Sequence, residues 1–204
     1  MKKIIAAASV LFVILSTNSC TKDRVPNPNS LNVAQTTLFN ENFDETTIVA
    51  PNFPTGWYAS GWKSDSSNFS ANYTGASGVR NLVVSNDPVN TLTDTLYSKS
   101  FVTTGFNNIK VIYGVRRSTH FSDNGSSIVS FSYSIDGGVT WIPVSYTEAT
   151  GDSNWYLVNA GVRIALQTNA ANVASIRFRW VAHTNPTPSG TYRIDDFQLL
   201  GTAM

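Results

Sequence analysis

From Leu38 onward the apolar residues recur mostly at every second position. Ile109, Val111, Tyr113 and Val115 alternate with Lys110, Ile112, Gly114 and Arg116, and Val129, Phe131 and Tyr133 alternate with serines. Ile176, Phe178, Trp180 and Ala182 alternate with Arg177, Arg179, Val181 and His183. This pattern predicts strands with one face on a core and the other more polar. Shorter runs at 82–85, 95–101, 155–159 and 162–166 predict further strands. No window of helical length keeps a 3.6-residue period; 160–174 comes nearest, and Gly161, Val162, Thr168 and Asn172 weaken it. No internal repeat of solenoid or propeller length is present. The expectation is a single all-β domain over 38–204, an antiparallel two-sheet β-sandwich of roughly eight to ten strands.

The last strand, within 191–200, is interrupted by Asp195 and Asp196 side by side. Neighbouring strand residues face opposite ways, so at least one of these carboxylates points to the interior or to a sheet edge. A buried carboxylate without a partner is costly or shifts its pKa. Glu41 and Asp44, at the other end of the domain, are candidate companions. Acids from both ends sharing one place would repel one another unless a hard cation sat between them.

Charge and the N-terminal segment narrow the setting. Only 13% of residues are charged and the formal net charge is +1; removing Lys2 and Lys3 with a leader leaves about −1. Bulk charge therefore attracts neither nucleic acid nor an anionic membrane surface. Residues 1–19 carry a positive start and an apolar stretch too short for a comfortable membrane span. They lead to Cys20, the only cysteine. The run Leu15-Ser16-Thr17-Asn18-Ser19-Cys20 resembles a bacterial lipoprotein signal, with Thr17 where Leu is usual. The resemblance implies lipidation of Cys20 and a cell-envelope protein lipid-anchored to the outer membrane, periplasmic or surface-exposed. Residues 20–37, with Pro26, Pro28 and several Asn, read as a flexible tether. The folded part has no cysteine, so neither disulfides nor thiolate metal sites hold it.

The hairpin Ser134-Ile135-Asp136-Gly137-Gly138-Val139-Thr140-Trp141 fits the Asp-box pattern at every fixed position. It reads as a structural turn in which Asp136 binds backbone amides, two glycines accept positive φ and Trp141 covers the turn. That hairpin, the acids of 39–44, the Phe53-Pro54-Thr55-Gly56-Trp57 run and Ile194-Asp195-Asp196-Phe197 together resemble the jelly-roll modules of secreted Bacteroidetes proteins. These include cleaved-adhesin and MAM-like domains and their carbohydrate-binding-module relatives, with concanavalin- or galactose-binding-like sandwiches. The resemblance implies that the first and last strands lie together and that their acids hold a structural calcium. Carried over, the metal falls near Asp44 and Asp195, with Asp196 and Glu41 as second choices.

No HExxH, phosphate-binding glycine loop or Gly-x-Ser-x-Gly elbow is present. His120 and His183 read as surface or capping residues. A glycosidase needs two carboxylates across a cleft, and the spare acids Asp65, Asp87, Asp123, Glu148 and Asp152 fall mostly in expected loops. Binding is the better expectation. Trp62, Phe69 and Tyr73 form an aromatic cluster suited to sugar faces, Trp155 and Tyr156 form another pair, and Trp57, Trp141 and Trp180 are expected to pack. Arg116, Arg177 and Arg179 could share a polar sheet face and meet an acidic glycan, although solvated surface charges are the simpler account. The expected function is a non-enzymatic glycan-binding or adhesion module with a structural calcium; the alternative is a protein-interaction component of a surface assembly, and a hydrolytic enzyme comes third.

Overall fold

Period-two stretches become the long strands, and short polar runs become edge strands around them. The computed structural model describes residues 34–44, 53–122, 127–186 and 189–204. The leader, Cys20 and most of the tether lie outside the described residues. In chain order the strands are β1 (Thr36–Glu41), β2 (Tyr58–Ser60), β3 (Lys63–Asp65), β4 (Asn81–Ser85), β5 (Leu92–Tyr97) and β6 (Phe106–Arg117). After one helical turn, α1 (Thr119–Ser122), come β7 (Ile128–Ser134), β8 (Ile142–Val144), β9 (Trp155–Leu157), β10 (Ile164–Ala165), β11 (Arg177–Thr184) and β12 (Thr191–Ala203). The first strand begins inside the span assigned to the tether, because Thr36 and Thr37 pair with Gly201 and Leu200.

Two antiparallel sheets result, as the alternation predicts. One runs β2-β5-β11-β7-β8; the other runs β10-β6-β12-β4-β3, with β1 added to β12 and β9 to β6. Trp180, Phe178, Phe131, Tyr113 and Phe197 fill the space between them, all buried. The Trp180 ring lies 4.9 Å from Phe131, 5.6 Å from Tyr113 and 5.6 Å from Phe197, the last two edge-on. Aromatic rings bring large apolar area and prefer such tilted and edge geometries, so few residues fill the gap between the sheets.

The long strand β12 changes partners midway. Residues Thr191 to Ile194 pair with β4, whereas Phe197 to Gly201 pair with β1, and the register against β6 shifts between Asp195 and Gln198. Asp196 takes a left-handed φ of 50° at this bulge. A bulge bends the strand and leaves a residue out of the ladder. The two acids therefore sit at a seam between β4 and β1, and β1 brings Glu41 opposite Phe197.

Candidate functional site

Over the outer face of the larger sheet folds the connection between β3 and β4, residues 66–80. It covers a row of β12 side chains that strand alternation turns away from the core. Arg193 is held through one nitrogen: its Nη1 donates to Asp65 Oδ2 at 2.6 Å, to Asn81 Oδ1 at 2.8 Å and to the Ser67 carbonyl at 3.1 Å, while its Nε has no hydrogen-bond partner among the described residues. Two residues on, Asp195 has less. Its side chain is 0% exposed. Oδ1 accepts the Asp196 amide at 2.8 Å, while Oδ2 has no hydrogen-bond partner among the described residues. Asp196 Oδ2 accepts the Tyr73 hydroxyl at 2.5 Å and the Ser77 amide at 3.2 Å. Asp44 Oδ1 accepts the Arg80 amide at 2.8 Å, and its Oδ2 accepts Asn42 Nδ2 at 3.1 Å. Glu41 Oε1 accepts the Phe43 amide at 3.1 Å.

Through the β1–β12 pairing, Asp44 comes near enough to Asp195 and Asp196 to act on the Asp195 carboxyl, while Glu41 bonds the Phe43 amide. Burial first, then the charges of Asp196 and Asp44, push the Asp195 carboxyl up to about 8, offset in part by Ser70 and by the Asp196 amide. Arg193, two residues before Asp195 on β12, is paired with Asp65. Among the described residues no three His, Cys, Asp or Glu side chains already converge as a ligand group. The oxygens of Asp44 and Asp196 are turned to loop amides and the Tyr73 hydroxyl. The donor set nevertheless suits a hard cation: the oxygens are carboxylates, one of them buried and unpartnered, with no competing sulfur.

Tyr73 reaches Asp196 because β6 carries a glycine opposite Asp195. A Cβ built at Gly114 would fall 2.0 Å from the Tyr73 hydroxyl oxygen. Burial first, then the bond to Asp196, raises the Tyr73 phenol well above its usual range, so it stays a proton donor. Its ring meets Trp155 at 6.5 Å, and Trp155 Nε1 in turn donates to the Asn68 carbonyl at 2.9 Å. Tyr73 thereby joins the acids to a cleft of about 520 Å³, lined by Asn72, Tyr73, Thr147, Glu148, Tyr156 and Leu157 among others. A smaller hollow of about 140 Å³ shares Tyr73 and Leu157 with it and is lined also by Arg163, Asp196 and Gln198.

Of the three aromatic residues expected to meet a ligand, the structure keeps one in a cleft. Trp62 is 3% exposed and packs edge-on against Tyr192 at 6.2 Å, so it belongs to the core and offers no sugar platform. Phe69 is 51% exposed but does not line the cleft. Tyr73 does, beside Tyr156 from the second aromatic pair. Glu148, set aside as a loop acid, also lines it; burial raises its carboxyl, and the Tyr146 hydroxyl donates to Oε1 at 2.5 Å. The signal that could have found it is its spacing from Tyr146, two residues before. Arg116 does not share a face with Arg177 and Arg179: it lies on β6 opposite Arg193, and they lie on β11 of the other sheet. His183 is an exposed strand residue whose Nδ1 lies 3.1 Å from Thr93 Oγ1.

Comparison with known proteins gives the same architecture. The family model for Reelin subrepeat B matches residues 94–199. Among solved structures, the K2 cleaved adhesin domain of Lys-gingipain is 21% identical over 81% of this chain and 99% of its own, with a TM-score of 0.51. The CBM22-1 xylan-binding domain of Xyn10C from Paenibacillus barcinonensis is 16% identical over 84% of this chain and 98% of its own, with a TM-score of 0.50. The K1 cleaved adhesin domain of Lys-gingipain from Porphyromonas gingivalis W83 is 11% identical over 81% and 97%, with a TM-score of 0.49. No curated protein matches the sequence. At these identities the structural likeness is one of fold.

The raised carboxyl of Asp195 has a signed consequence. In the unfolded chain it ionises above about pH 4, whereas in the cation-free fold it holds its proton up to about 8. Between these values the folded state carries the extra proton, so stability is full below about pH 4 and falls as pH rises toward 8. Urea denaturation in the presence of a chelator should register that decline, and Asp195→Asn should flatten it. A wild-type profile already flat across this window would contradict the assignment.

Proposed function

The chain belongs to the Reelin subrepeat B family, whose model spans just over half of it, and from that footing we propose that it is a non-enzymatic glycan-binding or adhesion module. The observation that carries the reading is the cleft of about 520 Å³ walled by Tyr73 and Tyr156 and edged by Asn72, Thr147, Glu148 and Thr150. Aromatic rings beside amide, hydroxyl and carboxylate groups match the alternation of C–H faces and hydroxyls on a sugar. Glu148 is the single carboxylate in that lining, whereas hydrolysis of a glycosidic bond needs two across the cleft. The fold shared with a xylan-binding domain makes β-linked neutral oligosaccharides the first ligands to try.

A structural calcium belongs to the same reading. Asp195 and Asp44 would hold it, with Asp196 and Glu41 near them, and backbone carbonyls and water would complete the six to eight oxygens calcium takes. Its charge would satisfy the unpartnered Asp195 oxygen and steady the loop that carries Tyr73. The reading also places the module at the cell envelope, anchored to the outer membrane through a lipid on Cys20.

Two measurements test it. Calorimetric titration across a neutral-oligosaccharide panel should find a ligand whose affinity drops about tenfold or more in Tyr156→Ala; no ligand, or one indifferent to that change, would refute the cleft. In detergent phase partitioning the full-length protein should enter the detergent phase and the Cys20→Ala protein should remain aqueous. Equal partitioning of the two would remove the anchor.

A further inference from the structure

The outer face of the five-stranded sheet carries rings and charges that the cleft does not use. Tyr58 on β2, Tyr97 on β5, Arg179 on β11 and Ser132 on β7 stand in one register row. The Tyr58 and Tyr97 rings stack at 4.6 Å, and Trp141 meets Tyr97 at 5.7 Å. The Arg179 guanidinium lies 4.5 Å from the Trp141 ring centre, and that of Arg177 lies 5.2 Å from Tyr58. Arg177 Nη2 donates to the Tyr58 hydroxyl at 2.9 Å, and Arg179 Nε donates to Ser132 Oγ at 3.3 Å. Tyr58 is 48% exposed. Among the described residues neither arginine has a carboxylate partner, and the one ion pair present is Arg193 with Asp65.

The Asp-box hairpin builds this platform. Asp136 accepts the Thr140 amide at 2.9 Å, the Val139 amide at 3.1 Å and the Ser134 hydroxyl at 2.7 Å, so its carboxylate serves its own turn. The closed turn brings Trp141 over the sheet and aims the Gly137 carbonyl at Arg177 Nη1, 3.4 Å away. Gly138 holds a φ of 102°, and a Cβ there would touch both Trp141 and Arg177. The two arginines thus stand two residues apart on one strand, about 7 Å along it and on the same face. Each is stacked on a ring and, among the described residues, hydrogen-bonded only to neutral oxygens, Arg177 to those of Tyr58, Ser98 and Gly137 and Arg179 to that of Ser132, so neither charge is matched.

We propose that this face is a second binding site, separate from the Tyr73 cleft, for acidic saccharides bearing carboxylate or sulfate groups. Arg177 and Arg179 pair with successive anions on the saccharide, guanidinium being suited to either group, and the exposed side of Tyr58 meets a sugar C–H face. A saccharide fits better than an acidic peptide. A peptide extends a sheet at its edges, which here are β2 and β8, whereas this surface is the flat of the sheet.

Calorimetric titration of the intact protein with oligogalacturonate, a chondroitin sulfate oligosaccharide, a neutral galacto-oligosaccharide and poly-glutamate decides the matter. The expected result is binding of one or both acidic saccharides, weakening as salt is raised; any neutral binding belongs to the cleft and should not change in the double arginine variant. The affinity should fall at least about tenfold in Arg177→Gln/Arg179→Gln and less in the Arg→Lys pair, which keeps the charge. Arg179→Gln alone, which keeps the contacts of Arg177 to the Ser98 and Gly137 carbonyls, should also weaken binding with an unchanged melting temperature. Chondroitin sulfate carries carboxylates as well as sulfates, so comparison with desulfated chondroitin identifies the group read: affinity kept without sulfate assigns carboxylate, and affinity lost assigns sulfate. Tyr156→Ala should leave the binding of the acidic saccharides unchanged, which separates the site from the cleft. No acidic saccharide bound, a neutral saccharide weakened as much as the acidic ones in the double variant, poly-glutamate bound as well as either saccharide, or full acidic-saccharide affinity in the double variant would overturn the proposal.

Discussion

Two neighbouring carboxylates are held in the same bulge, under a loop, at the point where the last strand exchanges one partner for another. Neither β4 nor β1 spans Asp195 and Asp196, so the gap is closed by the 66–80 connection, which brings the Tyr73 hydroxyl and the Ser77 amide to Asp196. A buried carboxylate left partly unpaired is among the costlier things a fold can contain. Its persistence here organises its surroundings: the glycine on β6, the covering loop and the aromatic wall of the cleft all follow from making room above those acids.

Arg193 and Asp195 make the asymmetry plain. Both project from the same side of β12 and both are buried. The Arg193 Nη1 finds a carboxylate, an amide oxygen and a carbonyl, while Asp195 accepts one backbone amide and has Ser70 nearby. Had the two been mutually paired, Asp65 would lack its cation. With Asp65 claiming the guanidinium, negative charge is left in excess on one side of the sheet and positive charge on the far side of the sandwich, at Arg177 and Arg179. The net charge near zero conceals this polarity. The cleft lies beside the acids and the arginine platform lies on the opposite sheet, so the two faces differ in charge.

Much of this was legible in the sequence because it is local. Period-two alternation marks the strands, and the Ser-x-Asp-x-Gly-x-Thr-Trp spacing marks the turn. The paired acids at 195 and 196 signal an interruption, and their meeting with residues 41–44 follows once the first and last strands are neighbours. What the sequence did not reveal depends on distant packing. Trp62 and Tyr73 stand in equally aromatic, serine- and asparagine-rich surroundings; only Tyr192, more than a hundred residues away, decides that Trp62 is core. Arg116 and Arg179 both alternate with apolar residues, and only strand order puts them in different sheets. Glu148 looked like a loop acid because its burial comes from tyrosines on other elements. Asp196 gives no sign of its left-handed backbone, which the change of strand partner requires.

The proposal that the buried acid cluster takes a cation is tested most directly by titrating calcium into cation-free protein at about pH 6.5, by calorimetry in buffers of differing ionisation heat. Asp195 should enter that experiment protonated, its carboxyl lying near 8, and must lose its proton to bind the metal. The expected result is binding accompanied by release of about one proton per ion, with release abolished in Asp195→Asn. Absence of calcium binding, or binding with no proton released, would contradict a cation held at the seam of β12.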